Sequence, residues 1–209
     1  MASIEKTRAV VEQDETYDGK ITPTVKAELG RPVKIKAGAT VQGSVYGETV
    51  EVQSGTVDGS VMASEGAEFE DATVHGEVGS DGKILADGAT VYGTVTGQRV
   101  RLTDSVVYGN VVGTDVILED CIVIGLVTAE RKFVAENTLC YTFKSYGETK
   151  LAQLSIVLPQ AAVEGEIQFA TPVVVTGLGE LDTGEAALPQ MDEGDIVEVE
   201  GSTYLSLSP

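Results

Sequence analysis

The sequence predicts an all-β chain wound as a right-handed parallel β-helix, a solenoid of about six or more short coils. Three observations predict it. The pentad Val-x-Gly-x-Val occurs six times, with its glycines at Gly43, Gly59, Gly76, Gly93, Gly109 and Gly125, in steps of 16, 17, 17, 16 and 16 residues. Each pentad is preceded by a small residue four positions before its glycine (Ala39, Gly55, Ala72, Ala89, Ser105, Cys121) and by a turn former one further back (Gly38, Ser54, Asp71, Gly88, Asp104, Asp120). No helical period runs through residues 33–137. A unit this short cannot bury an apolar face alone, so successive copies must stack.

Taken in order, residues 1–30 are polar and charged, with only Ala9, Val10 and Val11 as an apolar run, and read as a flexible N-terminal tail. The β-helix domain spans residues 31–138 and starts with a coil at Val33 and Ile35. Within each coil the pentad reads as one alternating strand, Val41, Gly43 and Val45 facing in and Gln42 and Ser44 facing out. A second alternating strand precedes the next turn, as in Val50/Val52, Ile84/Ala86 and Val116/Leu118. The extra residue of the longer repeats falls ahead of that strand, at Ser64-Glu65-Gly66 and Ser80-Asp81-Gly82, as an enlarged corner. Inward Val, Ala and Gly imply a narrow, filled interior, with like residues stacked roughly 4.8 Å apart. Coils of 16 and 17 residues with a variable corner fit a right-handed, three-sided helix better than the strict 18-residue left-handed form. After Phe133 the register fades. Residues 139–209 stay β-rich, and Val163-Glu164-Gly165-Glu166-Ile167 repeats the pentad once more, so this extension is either irregular coils or a cap.

Composition narrows the function. The net charge is −19, from 33 acidic and 14 basic residues, which disfavours nucleic acid and anionic membrane surfaces as partners. Such acidity serves solubility, or marks a halophilic source, where molar salt shortens the Debye length to about 3 Å. The two cysteines form no Cys-x-x-Cys pair; Cys121 falls in the small inward column and reads as a core thiol. Residues 1–14 carry no apolar leader and no stretch approaches the ~20 apolar residues of a membrane span, so the chain reads as cytoplasmic.

Chemistry has little to work with. His75 is the single histidine, outward among polar neighbours, and reads as a surface position. A zinc site built on several histidines is excluded, and no metal, cofactor, catalytic residue or small-molecule substrate is expected. The glycines fall on strands and form no phosphate loop. One exterior face changes character along the chain. Thr40, Thr56, Thr73 and Thr90 give way to Val106 and Ile122, and polar pairs beside the pentad glycine give way to Ile124 and Leu126. Ile122, Ile124 and Leu126 are therefore candidates for a face covered by a partner or a cap. An open helix end exposes unpaired backbone groups, which makes Val33, Ile35, Phe133 and Val134 candidates for a contact between copies.

The pentad and its small and turn-forming columns, over about residues 33–137, are similar to the bactofilins, and the acidic bias points toward their haloarchaeal relatives, the halofilins. The resemblance implies a right-handed three-sided β-helix that polymerises through terminal coils without nucleotide. It implies filaments that scaffold cell shape, with a membrane-linked or related cytoskeletal protein as a further partner. The region after residue 138 is larger than a bactofilin tail, and no N-terminal membrane-binding segment is recognisable. Two other readings stand beside this one: a hexapeptide-type acyltransferase using His75 as base, and a capped β-helical adaptor that does not polymerise.

Overall fold

The computed structural model describes residues 2–5, 7–22 and 30–153, and beyond these the backbone of strands at 155–156, 160–163, 167–169, 174–175, 196–199 and 202–206. The described chain is all-β, and its parallel strands form a β-solenoid of about seven turns. From Thr40 to Glu119 each turn has a two-residue strand, such as Thr90–Val91, and a strand of nine or ten residues, such as Val95–Thr103, while in the next turn the two merge into Ile122–Glu136. The long strand changes phase midway. In Val45–Gln53 the buried positions are Val45, Gly47, Val50 and Val52, with Glu48 and Thr49 both turned outward between them. That slip is a corner, so each coil has three sides: a short side, a second side along the Val45 column and a third side along the Val50 column.

The tightest corner lies between the third side and the short side. Asp14, Ser54, Asp71, Asp104, Asp120, Asn137 and Gln153 all have positive φ, between 44° and 57°, and Gly38 and Gly88 occupy the same place in their coils. This is the column of turn formers read in the sequence. Asp, Asn and Gly accept the left-handed region at least cost, because a short polar side chain hydrogen-bonds locally and Gly has no Cβ. The corner backbones are also bonded coil to coil: Ser54 N–H donates to Glu70 O, Asp71 N–H to Asp87 O and Asp104 N–H to Glu119 O. Next to it the small residues, Ala39, Ala72, Ala89, Ser105 and Cys121, are buried where the chain turns sharply.

In five of its six copies the pentad takes a different form from the straight strand expected of it, and in the sixth, Val123–Val127, it lies within the strand Ile122–Glu136. Val91 ends the short strand, Val95 begins the long one, and Gly93 sits in a bend between them. The glycines of successive coils stack on one another, with Gly76 N–H donating to Gly59 O and Gly93 N–H to Gly76 O. A Cβ on Gly93 would lie 2.5 Å from the carbonyl oxygen of Gly76, and one on Gly109 would lie 2.4 Å from that of Gly93. Glycine is needed here because backbone meets backbone, not because a strand needs a small inward residue. The enlarged corners do fall where the spacing puts them. Val61–Glu70 and Val78–Asp87 pair in unbroken register, while their partners on either side, Val45–Gln53 and Val95–Thr103, pair with a one-residue shift at that corner.

Residues 1–30 are not a tail throughout. Ala9–Val11 pairs in parallel with Val33–Ile35, Thr16–Tyr17 pairs with Thr40–Val41, and Ile21 bridges to Val45. Ala9, Val11 and Ile21 are fully buried, so this stretch is a complete coil. Ser3–Ile4 then folds back antiparallel on Ala9–Val11. Arg31 is 3% exposed and ties this end together, its guanidinium donating to the carbonyls of Glu5 and Thr22. At the other end Leu139–Ser145 and Glu148–Ala152 continue the parallel ladders, followed by Ser155–Ile156, Ile167–Phe169 and Val174–Val175. Gln160–Val163 pairs on the solenoid with Leu139–Ser145 and takes Ser202–Ser206 as an antiparallel neighbour, itself paired with Ile196–Val199. The further pentad copy at 163–167 lies partly outside the described residues.

The core is one continuous column of Val, Ile, Leu, Ala and Phe, with Phe133 and Phe143 packed ring to ring at 5.0 Å. Its tolerance to added volume differs by site. Gly93→Ala is expected to destabilise the fold by about 1–3 kcal/mol, because backbone cannot yield as a side chain can. Gly79→Ala meets only the flexible Met62 side chain, at 2.6 Å to the sulfur, and is expected to be mild. Thermal melts of the two variants followed by circular dichroism check this; equal shifts would count against the backbone stack.

Candidate interaction surfaces

The residues expected at the helix ends lie inside the stack. Val33 and Ile35 are buried between Ala9 and Val11 on one side and Val50 and Val52 on the other. Phe133 and Val134 are flanked by Val116 and Ile117 and by Thr149 and Lys150. None of the four is a terminal contact. Val33, Ile35 and Phe133 are buried and Val134 stands on an outward column; their place within the stack follows from the extra coils before and after them, which the pentad count does not reach.

The end that is open lies earlier. In Thr16–Tyr17 the neighbouring coil is served by Glu15 O, which accepts from Thr40 N–H, and Tyr17 O, which accepts from Gln42 N–H. Backbone groups of alternate residues point to opposite sides of a strand. The N–H and C=O of Thr16 therefore point away from the solenoid, and among the described residues no strand pairs with that edge. Sequence reasoning missed this edge, although Ala9, Asp14 and Thr16 stand five and seven residues apart just as Val33, Gly38 and Thr40 do.

Ile122, Ile124 and Leu126 are exposed on the short side and the bend beside it. They continue a row that starts polar. Asp58 bonds the His75 ring at 3.1 Å from Oδ1 to Nδ1, His75 packs on Tyr92 with centroids 5.1 Å apart, and Tyr92 stacks on Tyr108 at 4.8 Å. Ile124 follows Tyr108 one coil on, beside Ile122 and Leu126. Tyr92 and Tyr108 are each about half exposed, at 48% and 49%. Coil stacking thus brings these side chains into one apolar strip, and the single histidine takes its place as a rung in it.

The third side carries a different pattern. Its outward columns hold Lys83, Arg99, Asp115 and Lys132 nearest the second side, and Leu85, Arg101, Ile117 and Val134 along the middle. Asp87, Thr103, Glu119 and Glu136 stand along the far edge. Arg131 reaches back one coil and bonds Asp115 through both carboxylate oxygens. That guanidinium holds the Asp115 carboxyl below its usual range against the opposing effect of burial, and Lys132 and Arg99 add to it. Arg101 donates to both oxygens of Glu119 at 3.1 Å.

Both cysteines are buried free thiols. Cys121 donates to Glu119 O at 3.1 Å, and burial pushes its pKa up to about 11. Burial pushes Cys140 up to about 12. Among the described residues no group of three His, Cys, Asp or Glu side chains is placed to hold a metal ion, and no helix is long and apolar enough to cross a membrane. Comparison with known proteins finds no match: no family model fits the chain, and no curated protein or solved structure is significantly similar.

The thiols set a pH dependence. In the unfolded chain they ionise near pH 8.5, but in the fold they stay protonated to about pH 11–12. Their contribution to stability is therefore fully present below about pH 8.5 and is lost as pH rises, because the unfolded state then binds fewer protons. Each thiol contributes a slope of up to about 1.4 kcal/mol per pH unit. Urea unfolding of wild type and of Cys121→Ser/Cys140→Ser at pH 7.5, 8.5 and 9.5 checks this. The variant starts less stable but declines less steeply; parallel declines would rule the thiols out as the cause.

Proposed function

We propose that this chain is a structural protein that self-associates end to end, without nucleotide, into a cytoskeletal polymer. The observation that carries the reading is the rung at Thr16: among the described residues the parallel ladder of short strands stops there, with an outward N–H and C=O. Unpaired edge groups of this kind are satisfied most readily by another sheet edge, and the described chain offers further edges at the other end, in Ile167–Phe169 and Val174–Val175. The filled interior, with side chains stacked on like side chains, supports a building element. The similarity of the repeat to bactofilins points the same way. The net charge of −19 opposes association at low salt, and salt screens that repulsion while strengthening apolar burial.

One observation favours the adaptor reading. Ser3–Ile4 covers part of the first coil and Ser202–Ser206 covers an edge near the last, both as antiparallel strands. Strands in that arrangement cap, and the exposed strip from Tyr92 to Leu126 would then be the working surface.

The two readings separate in one experiment. Thr16→Pro removes the outward N–H without touching the bonds to the second coil, and proline is tolerated where an edge N–H faces outward. Sedimentation and electron microscopy over a salt series are expected to show wild type assembling as salt rises. Thr16→Pro is expected to stay monomeric with an unchanged circular dichroism spectrum. Wild type that remains monomeric at every salt and protein concentration sinks the polymer and leaves the adaptor.

A further inference from the structure

We propose that the third side of the solenoid pairs with the same side of a second copy, the two chains lying parallel and related by a twofold axis that runs along the solenoid direction. This goes beyond end-to-end assembly and does not depend on it.

Charge on this side is arranged for such a pair. An axis of this kind keeps every rung at its own height and exchanges left for right. The middle column then faces itself: Leu85, Ile117 and Val134 meet their own copies, and so do Lys34, Glu51, Glu68 and Lys150, each of which is ion-paired within its own chain. The near column of one copy faces the far column of the other. On the four rungs from Lys83 to Lys132, Lys83, which also bonds Glu68 in its own chain, meets Asp87, Arg99 meets Thr103 and Lys132 meets Glu136. The remaining rung places Asp115 opposite Glu119, and these are the two carboxylates that the chain itself neutralises, with Arg131 on the first and Arg101 on the second. Drawing Arg101 toward Glu119 also takes its charge off the axis, where it would otherwise face its own copy. An isologous contact must be self-complementary in this way.

Two further observations single out this face. Lys132 and Glu136 stand on the same rung at opposite edges; among the described residues neither is within 4.0 Å of an opposite charge, although Lys132 lies between Asp115 and Glu148 in its column and acts on both at longer range. In addition, on the four rungs from Lys83 to Lys132 four basic residues (Lys83, Arg99, Arg101 and Lys132) stand against four acids, so this stretch is close to neutral on a chain of net charge −19. Two such chains repel least where these faces meet. A shallow groove of about 300 Å³ lies on this side, with Leu85, Val100 and Ile117 among the charged side chains that line it.

Over eight rungs the face measures roughly 34 Å by 16 Å, or about 550 Å² per copy. A stable pair buries about 800 Å² per partner, so two free subunits pair weakly, and subunits linked in series pair more firmly through their combined contacts.

The test uses the full chain. Facing sheets stand about 10 Å apart, too far for a disulfide, so Ile117→Cys is treated with a short bismaleimide; the native thiols are buried. Covalent dimer is expected at high protein concentration. Adding Lys132→Glu sets acid against acid at that rung, and adding Glu136→Lys sets base against base, so each is expected to reduce dimer at least fivefold. Both residues face solvent, and melting curves confirm the fold. The deciding arm mixes the two charge variants one to one. In the mixed pair the substituted near edge of one copy, now acidic, meets the substituted far edge of the other, now basic. On the opposite flank the unaltered Lys132 and Glu136 meet, and cross-linking is expected to return. Failure of the mixture to restore dimer, or wild-type yields in either single variant, overturns the pairing. No cross-link in the parent at any concentration does the same, and leaves the groove to an acidic segment of another protein. Cross-linking reads only facing side chains, so each outcome holds whether or not the subunits also stack end to end.

Discussion

The fold depends on one arrangement: every coil hands its backbone hydrogen bonds to the next across a left-handed corner residue. Where the chain leaves the third side it must turn sharply inside the ~4.8 Å spacing of a parallel ladder. A residue with positive φ makes that turn while keeping its N–H bonded to the following coil. The corner fixes where the small residue must come, because the turn leaves no room for a larger one. It fixes where the short strand starts, two residues on, and so aligns the Val columns that fill the interior. A few kcal/mol of backbone preference, repeated in every coil, sets the register of the whole core.

Functional surfaces follow from that register. Because coil stacks on coil, any outward position becomes a column, and the chemistry of a surface is read along columns instead of along the chain. The aromatic strip and the charged third side are both products of this. Residues 16 or 17 apart in sequence become neighbours, as Arg131 and Asp115 do.

How much was legible in the sequence follows the same logic. The pentad spacing gave the stacking, and the columns before it gave the left-handed corner and the buried small residues, Cys121 among them. The apolar turn of the exterior at Ile122, Ile124 and Leu126 was also readable, since outward columns can be traced once the period is known. The strand expected of the pentad is found only in its last copy, Val123–Val127. A glycine between two valines looks the same in sequence whether it faces a core or sits where two backbones touch, and only the distance to Gly76 O separates the two. The first coil is hard to see because its counterpart of the pentad reads Tyr17-Asp18-Gly19-Lys20-Ile21, with neither valine, and its glycine stands 24 residues before Gly43, although Ala9, Asp14 and Thr16 keep the spacing of Val33, Gly38 and Thr40. That omission moved the supposed end of the molecule inward, onto Val33 and Ile35. The charge pairing of the third side was invisible for another reason: its partners lie on opposite edges of one rung, and the relation between them appears only when a second copy is considered.

The near-uniform coil length has a mechanical meaning. Nearly every coil is fastened only to its immediate neighbours, through a band of backbone bonds and a slice of core. Tension applied to the two chain ends would load the outermost coil first and peel its bonds in sequence, without disturbing the coils behind it. Each release of 16–17 residues lengthens the molecule by roughly 55 Å at about 3.3 Å per residue. Such a chain yields under load in steps of one size and rewinds from the coils still in place, as a ratcheted tether does, instead of failing all at once.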